Sequence, residues 1–294
     1  MTDKIYLPSL MRALRLSVLL SCLTLSGLPA FAAGYHDHLG LQLWSLRDTT
    51  KVSTTKALDL AAGFGFTEVE TAGTGNLSTA DFARELAARK LRAVAVHASY
   101  EALTKDIAQV IADAKTLGAK YIIVPWLPFD QAQGFTAKDA QRVAADFNTW
   151  GAACQAAGLK FGFHPHGFEF KAAADGVTPF DIIARETKPD LVVFEMDVFW
   201  VVLPGLDPVK LLQNHPDRWQ LMHVKDLRKG AVLGIHTGAA PPTDKVAVGD
   251  GQVDWPAVLA AAEQAGVKHY FIEDEGVQPL KEIRASLKYL QGLP

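Results

Sequence analysis

Four side chains in the second half of the chain have the chemistry to bind a divalent metal ion. Each ends or follows a short apolar stretch, and together they are Glu169, Asp197, His223 and Glu273. Three carboxylates and one imidazole, without a thiolate, form a ligand set that suits Mn²⁺, Mg²⁺, Co²⁺ or Zn²⁺. Three neighbouring carboxylates repel one another, and one would hold a proton unless a cation lay among them. The pattern therefore predicts one divalent metal ion bound by all four residues. A lone residue of either type at a strand end is more often structural, so the prediction depends on the four occurring together.

Eight short apolar stretches are typical of strands that are buried on both faces, as in a parallel sheet. Helical patterns of apolar residues lie between them. Eight strand–helix units in about 255 residues predict the α/β class and a single (β/α)₈ TIM barrel. The predicted strands are Leu39–Leu46, Thr67–Thr71, Ala93–His97, Tyr121–Val124, Lys160–His164, Leu191–Asp197, Gln220–His223 and Tyr270–Glu273.

The main alternative to a barrel is an open doubly wound sheet. Such a sheet usually has a glycine-rich phosphate loop after its first strand, and the segment 44–48 (WSLRD) contains no glycine. In a barrel the active site lies where the strands end, which places the predicted metal ligands at one mouth. The long irregular stretch Leu227–Val253 is expected to be a functional loop beside that mouth.

Composition excludes several other classes of protein. Hydrophobic residues make up 49% of the 294 residues and charged residues 21%, which is ordinary for a globular protein. Lys and Arg together number 29 against 32 Asp and Glu, so the net charge is −3. A duplex-binding protein usually carries a basic excess, so no nucleic-acid partner is expected.

The first 32 residues have the layout of a secretory signal peptide. Basic residues, ending with Arg15, precede an apolar run from Leu16 to Leu25, and the segment 30–32 (AFA) has the small-residue pattern of a cleavage site. Cleavage after Ala32 would leave residues 33–294 as the barrel domain. Polar residues and a proline interrupt the apolar run too early for a span of about 20 residues, so no membrane span is expected after cleavage.

Export to the periplasm is the predicted localisation. Met11 is an alternative start, because residues 11–32 form a complete signal by themselves. Lipid anchoring through Cys22 is a second alternative, although the residues after it remain apolar. Cys154 would then be the only cysteine of the mature chain, so its stability would depend on its core or on bound metal rather than on an internal disulfide.

Several segments resemble the xylose-isomerase-like barrel superfamily, which includes sugar isomerases and epimerases, inosose dehydratases and apurinic endonucleases. The resemblance extends from about Leu39 to the C-terminus and supports the predicted fold. It is specific for the superfamily and weak for the substrate. The matching segments are 40–48 (GLQLWSLRD), 164–170 (HPHGFEF), 195–200 (EMDVFW), 223–226 (HVKD), 248–253 (VGDGQV) and 271–273 (FIE).

The resemblance implies the same four metal ligands and gives two of them a further role. In the epimerases, two glutamate ligands also move protons on opposite sides of a carbon beside a carbonyl. Carried over by position, these are Glu169 and Glu273, and the metal would stabilise the enediolate between the two steps. The implied cofactor is thus one divalent ion, Mn, Mg, Co or Zn.

Other side chains at the same mouth are expected to bind the substrate. His97, His164, His166 and Lys225 could hydrogen-bond sugar hydroxyls. Lys225 could instead form a structural salt bridge to Asp226 or Glu195. Many relatives have a histidine three residues after the aspartate of the sixth strand, whereas this chain has Trp200. That difference, with the acidic charge, argues against a DNA-repair role and favours stacking of Trp200 on a sugar face.

The resemblance implies a metal-dependent sugar isomerase or epimerase. The predicted export and the lack of an obvious phosphate loop in the sequence favour an unphosphorylated substrate. The first alternative is a dehydratase or lyase of a keto-sugar, which shares the first proton removal and then loses a β-substituent. The second is a sugar-binding protein without catalysis. In all three cases the partner is a small sugar or keto-sugar, and a homo-oligomer is compatible with the sequence.

Overall fold

The computed structural model describes residues 34–130 and 132–294. The predicted signal peptide, with its alternative start at Met11 and its cysteine Cys22, lies outside these ranges. Within them, no helix is both long and apolar enough to cross a membrane.

Eight parallel strands close into a barrel in the spatial order β1-β10-β7-β6-β5-β4-β3-β2, which confirms the predicted fold. A separate antiparallel pair, β8 with β9, lies in the long segment after the seventh barrel strand. The strands are β1 Leu39–Gln42, β2 Glu68–Thr71, β3 Arg92–His97, β4 Tyr121–Val124, β5 Lys160–Phe163, β6 Val192–Asp197, β7 Trp219–Val224, β8 Asp226–Leu227, β9 Lys245–Val246 and β10 His269–Ile272.

Helices connect the barrel strands, and several begin with a side chain that caps the first turn. Ser53, Ser78 and Thr136, for example, each accept a hydrogen bond from a backbone N–H of the helix that follows. The helices are α1 Arg47–Val52, α2 Thr54–Gly63, α3 Thr79–Ala88, α4 Tyr100–Thr116, α5 Ala137–Ala156, α6 Pro179–Glu186, α7 Val198–Val202, α8 Pro208–Asn214, α9 Trp255–Ala265 and α10 Pro279–Gln291.

The inside of the barrel is layered, because alternate residues of a strand point to the same face. At the N-terminal end of the strands, Glu68 of β2 contacts Arg92 and His269. A buried apolar layer follows, made by residues such as Ile123, Val193, Leu221 and Phe271. Towards the C-terminal ends of the strands, the side chains inside the barrel are polar. The apolar layer therefore separates two polar clusters, one at each end of the barrel.

The first strand is shorter than the sequence predicted. It ends at Gln42, and residues Leu43–Leu46 form a 3₁₀ turn instead of continuing the strand. The Gln42 side chain accepts a hydrogen bond from the Trp44 backbone N–H at 2.9 Å, which turns the chain at this point. As a result Trp44 moves out of the barrel wall to the rim of the mouth.

Candidate active site

The ends of the last four barrel strands bring a group of polar side chains together. Asp197 is the last residue of β6, and His223 is the second-last residue of β7. Asp197 and His223 lie opposite each other on the neighbouring strands β6 and β7. His223 also lies opposite Phe271 of β10, which is two residues before Glu273. His164 directly follows β5. These side chains are buried although they carry charge or titrate.

Three of the four predicted ligands form one compact group. Ligand atoms of Asp197, His223 and Glu273 all lie within 4.8 Å of one another. His223 Nδ1 lies 3.3 Å from Glu273 Oε2 and 3.8 Å from Asp197 Oδ2. Across the part of the chain that the structure describes, Asp197 Oδ2 is buried without a hydrogen-bond partner. A buried acceptor of this kind is costly unless something binds it, and a cation would.

His164 belongs with this group, although the sequence suggested substrate binding for it. Its Nε2 lies 3.8 Å from the same Asp197 Oδ2. Its Nδ1 lies 3.0 Å from Glu195 Oε2, so this carboxylate can accept the Nδ1 proton. That arrangement leaves Nε2 free to act as a ligand.

His223 is oriented in the same manner by a second carboxylate. Its Nε2 lies 2.6 Å from Glu70 Oε2, which leaves Nδ1 facing Asp197 and Glu273. Metal-binding histidines usually donate their other ring N–H to a carboxylate or carbonyl, which fixes the ring and its tautomer. Glu70 and Glu195 have this supporting position. Neither glutamate was among the metal-binding or substrate-binding residues predicted from the sequence.

A second group of ligand atoms overlaps the first. Atoms of His97, His164, Glu195 and His223 also lie within 4.8 Å of one another. Here Glu195 Oε2 lies 3.0 Å from His164 Nδ1 and 3.3 Å from both His97 Nε2 and His223 Nε2. These are hydrogen-bond contacts that already satisfy that oxygen. Glu195 Oε1, like Asp197 Oδ2, is buried and unpartnered among the described residues. The group around Asp197 Oδ2 is the candidate carried forward, because it contains three of the four predicted ligands and borders the pocket through His223 and Glu273.

Glu169, the fourth predicted ligand, is in neither group. The chain leaves β5 through a turn in which Gly167 has a φ of 93°, and Glu169 then lies in a 3₁₀ turn. One carboxyl oxygen accepts the His166 backbone N–H at 3.0 Å, and its other oxygen is buried and unpartnered among the described residues. Burial raises the pKa of Glu169 to about 8. Its role as a ligand and proton carrier stays a prediction.

Lys225 supplies positive charge beside the carboxylates. Its Nζ lies 2.8 Å from Glu273 Oε2 and 3.7 Å from Asp197 Oδ2, and it also contacts Glu275. Lys225 thus forms salt bridges with Glu273 and Glu275, whereas the sequence suggested Asp226 or Glu195 as the partner. Burial alone would raise the pKa of Glu273, but the charges of Lys225 and His223 lower it well below its ordinary value.

The carboxylates and imidazoles deeper in the barrel also perturb one another. Burial would raise the pKa of Glu70, but contacts with His97 and His223 lower it to about 2. Burial and the neighbouring charge of Glu70 raise the pKa of Glu195 to about 7. Burial opposes the charge of His97, yet Glu70 and Glu195 raise its pKa to about 9. Such a set of perturbed groups inside one cleft is typical of a functional site.

A pocket of about 510 Å³ opens above the cluster and is lined by His164, His223 and Glu273. Three of the predicted substrate-binding residues, His97, His166 and Trp200, line it as well. His166 Nδ1 and Trp200 Nε1 are buried with no hydrogen-bond partner within the described ranges. Both atoms are thus available to a polar ligand. Lys225 lies behind Glu273 and contributes charge rather than surface.

Several residues at the rim of this pocket were not among the site residues predicted from the sequence. Trp126 follows β4, and Lys245 belongs to the β8–β9 pair, and both line the pocket with Glu275. Glu275 accepts hydrogen bonds from Trp44 Nε1 and from Lys245 Nζ, both at 2.9 Å. The long segment after β7 thus contributes directly to the pocket. Its glycines signalled a loop, but no local pattern indicated which of its side chains would turn inward.

The fold and the site define a class of protein: a (β/α)₈ barrel with a buried carboxylate–imidazole cluster at its mouth. The chain belongs to the xylose isomerase-like TIM barrel family, whose model matches residues 58–293.

Three named proteins resemble the chain in sequence or in structure. The chain is 24% identical over 165 residues to an inosose dehydratase of Lacticaseibacillus casei, with 52% of each chain covered, so it spans about half the length of this curated relative. A sugar phosphate isomerase/epimerase from Parabacteroides distasonis superposes with a TM-score of 0.71 at 25% identity, covering 90% of this chain and 96% of that one. A probable 3-DHS dehydratase from Bacillus anthracis, 15% identical, superposes with a TM-score of 0.69 over 87% and 100% of the two chains, which shows the shared fold. The proteins that the chain resembles thus include both a named isomerase/epimerase and a named dehydratase.

Proposed function

We propose that the chain is a divalent-metal-dependent isomerase or epimerase that moves a proton on the carbon beside a sugar carbonyl. The observation that carries the proposal is the group of Asp197, His223 and Glu273 with the unpartnered Asp197 Oδ2. His164 Nε2 approaches the same oxygen at 3.8 Å. Two imidazole nitrogens and two carboxylate oxygens fit a divalent transition metal such as Mn²⁺, Co²⁺ or Zn²⁺. An ion held there would supply positive charge that stabilises an enediolate.

The residues of the chain provide the proton transfers. Glu273 lines the pocket, and Lys225 keeps its carboxylate ionised, so Glu273 can accept a proton from a bound sugar. Of the predicted pair of proton carriers, we assign the donor role to Glu169, because burial raises its pKa to about 8 and favours the protonated carboxyl at neutral pH. Because Glu169 is not among the described residues that line the pocket, its role needs a test of its own. His97, His166 and Trp200 would hold the sugar hydroxyls.

Dehydration or β-elimination is the second candidate. It shares the removal of a proton beside a carbonyl and then needs an acid for the leaving group. Burial lowers the pKa of His166 to about 4, so its imidazole is neutral at pH 7 and does not supply this acid. Its buried Nδ1, unpartnered among the described residues and beside the pocket, could instead hydrogen-bond the leaving group. The partial match to inosose dehydratase points the same way. The two reactions differ in the mass of the product.

A metal measurement followed by a substrate panel tests the proposal. Mass spectrometry of the purified chain should give about one divalent ion per chain, and Asp197→Asn should lose it. The loaded enzyme is then incubated with unphosphorylated sugars and keto-sugars in heavy water. Gain of one deuterium without loss of water indicates isomerisation or epimerisation, whereas loss of water indicates the dehydratase. Absence of metal after incubation with Mn²⁺, Co²⁺ and Zn²⁺ would refute both and leave sugar binding.

Localisation in the periplasm is part of the same proposal. The signal-peptide pattern of residues 1–32 supports it, and an exported enzyme would meet unphosphorylated sugars. Fractionation of cells that produce the full chain would test it, with a variant lacking residues 1–32 as the control.

A further inference from the structure

A second cavity lies beside the pocket at the barrel mouth. Its volume is about 350 Å³, and Trp44 and Ala72 line both spaces. Ala72 directly follows β2 and has a side chain of one carbon, so with Trp44 it forms the shared border of the two spaces. A ligand bound over the proposed metal site would have to cross this border to reach the second space, which we call the side cavity.

The inner wall of the side cavity is apolar. Ala57, Leu58 and Phe82 line it and are at most 2% exposed. The polar atoms nearest to them are already paired, because Thr54 Oγ1 donates a hydrogen bond to Asn76 Oδ1 at 2.7 Å. The side cavity thus offers contact area to an apolar group and few free hydrogen-bonding atoms.

Trp44 stands at the border as a rigid aromatic surface. Its side chain is 44% exposed, which is unusual for so large an apolar group. The Nε1–Glu275 hydrogen bond fixes the ring, and the guanidinium of Arg47 lies 5.6 Å from its centroid. An exposed tryptophan that is held in place supplies stacking area at little cost in conformational entropy.

We propose that the substrate is a keto-glycoside, in which a ring carbonyl away from the anomeric carbon supports the proton transfer, and that its sugar lies in the pocket while its aromatic, apolar aglycone occupies the side cavity. The sugar part of this statement rests on the proposed function, whereas the aglycone part rests on the side cavity alone. A free monosaccharide would leave the side cavity and the exposed face of Trp44 unused. The structure therefore assigns aglycone recognition to the segment between β1 and α3.

The side cavity can be tested with an aromatic fragment, independently of any reaction. Binding of 4-fluorophenol is measured by ¹⁹F NMR on the full chain and on Thr50→Trp, which fills the side cavity from helix α1. Thr50 is partly exposed and lines the side cavity, so the larger side chain does not disturb the core. Thr49→Trp is the matched control, because Thr49 lies on the same helix and lines a different cavity.

We expect Thr50→Trp to weaken fragment binding about tenfold or more, while Thr49→Trp stays within about twofold of the unchanged chain. Equal binding by the two variants, or no binding at millimolar fragment, would overturn the proposal. Binding displaced by inorganic phosphate would also overturn it, since the cations Arg47 and Lys51 would then define an anion site.

Asp197→Asn separates this inference from the proposed function. The variant should bind the fragment normally, because Asp197 is not among the residues that line the side cavity. Mn²⁺ should broaden the signal of the bound fragment in the unchanged chain and not in Asp197→Asn. If fragment binding depends on Thr50 but Mn²⁺ does not broaden the signal, the proposed metal site would be refuted and the side cavity would still be supported. For a keto-sugar whose carbonyl is not the anomeric carbon, the phenyl glycoside should exceed the methyl glycoside about tenfold in kcat/KM, and Thr50→Trp should remove that preference.

Discussion

His164→Gln and Glu169→Gln form a matched pair that decides which residue completes the metal site. Both positions are buried and follow the same strand, β5. The sequence pattern selects Glu169, whereas the distances select His164, whose Nε2 is 3.8 Å from the unpartnered Asp197 Oδ2. We expect His164→Gln to lose metal and Glu169→Gln to keep it.

The size of the two effects follows from the contacts. Changing a residue that only orients a ligand lowers metal affinity about 10–100-fold, so removing a direct ligand should cost at least about 100-fold, or about 2.7 kcal/mol. Glu169, by contrast, is largely protonated at pH 7, since burial raises its pKa to about 8. Glutamine then preserves the charge, the size and the acceptor for the His166 backbone N–H. A change within about threefold is expected.

Competition with a fluorescent chelator gives the affinities for Zn²⁺ and Co²⁺, and circular dichroism confirms that each variant is folded. Tight binding by a folded His164→Gln variant, together with loss of metal in Glu169→Gln, would refute the ligand set derived from the structure. It would restore the set that the sequence predicted. Loss of metal in both folded variants would mean that Glu169 moves into the site when the ion binds.

Three further expectations concern other parts of the molecule. Trp200→Phe keeps an aromatic ring, although a smaller one, and removes the unpartnered Nε1 donor. Steady-state kinetics should show a KM for the active sugar about tenfold higher, with metal affinity unchanged. Asp226→Asn weakens the bonds from Gly249 N, Gly251 N and Trp255 Nε1, and calorimetry should show a Tm lower by several degrees. Burial opposes the ionisation of Glu68, but His269 and Arg92 lower its pKa to about 2, against 4.5 for an ordinary glutamate. Its ionised form thus stabilises the fold by about 3 kcal/mol at most above pH 4.5, and this contribution is lost as the pH falls towards 2. Urea unfolding would test this: the free energy of unfolding should differ less between pH 7 and pH 3 in Glu68→Gln than in the unchanged chain.

The barrel was predictable because each buried strand has a strong local signal. Segments such as Tyr121–Val124 are short, apolar and bounded by helical patterns, and that strand has the predicted bounds. Helix α2 also has the predicted bounds, Thr54–Gly63. The end of β1 was not predictable, since the turn depends on the hydrogen bond that the Gln42 side chain accepts. The pair of β8 and β9 was missed for a similar reason, because two-residue strands have no periodicity to read.

The candidate site was predictable at the level of strand ends but not at the level of contacts. Asp197, His223 and Glu273 were selected because each ends or follows a strand, and the structure places them together. Whether a residue beyond the end of β5 turns inward depends on the conformation of the turn. Two residues compete there, His164 at the strand end and Glu169 five residues later, and the backbone at Gly167 decides between them. Sequence spacing alone does not contain that conformation.

One signal in the sequence does identify the supporting carboxylate Glu195. Residues two apart on a strand point to the same face, so an inward Asp197 requires an inward Glu195 one layer deeper. The same alternation places Glu70 above Glu68 on β2, and both are buried. A buried carboxylate needs a partner, and the imidazoles at the ends of the neighbouring strands are the groups within reach. The layer of carboxylates beneath the proposed metal site therefore follows from strand alternation once the inward face is known. Because Glu195 and Glu70 each contact one ring nitrogen of His164 and His223, the second nitrogen of each ring faces Asp197.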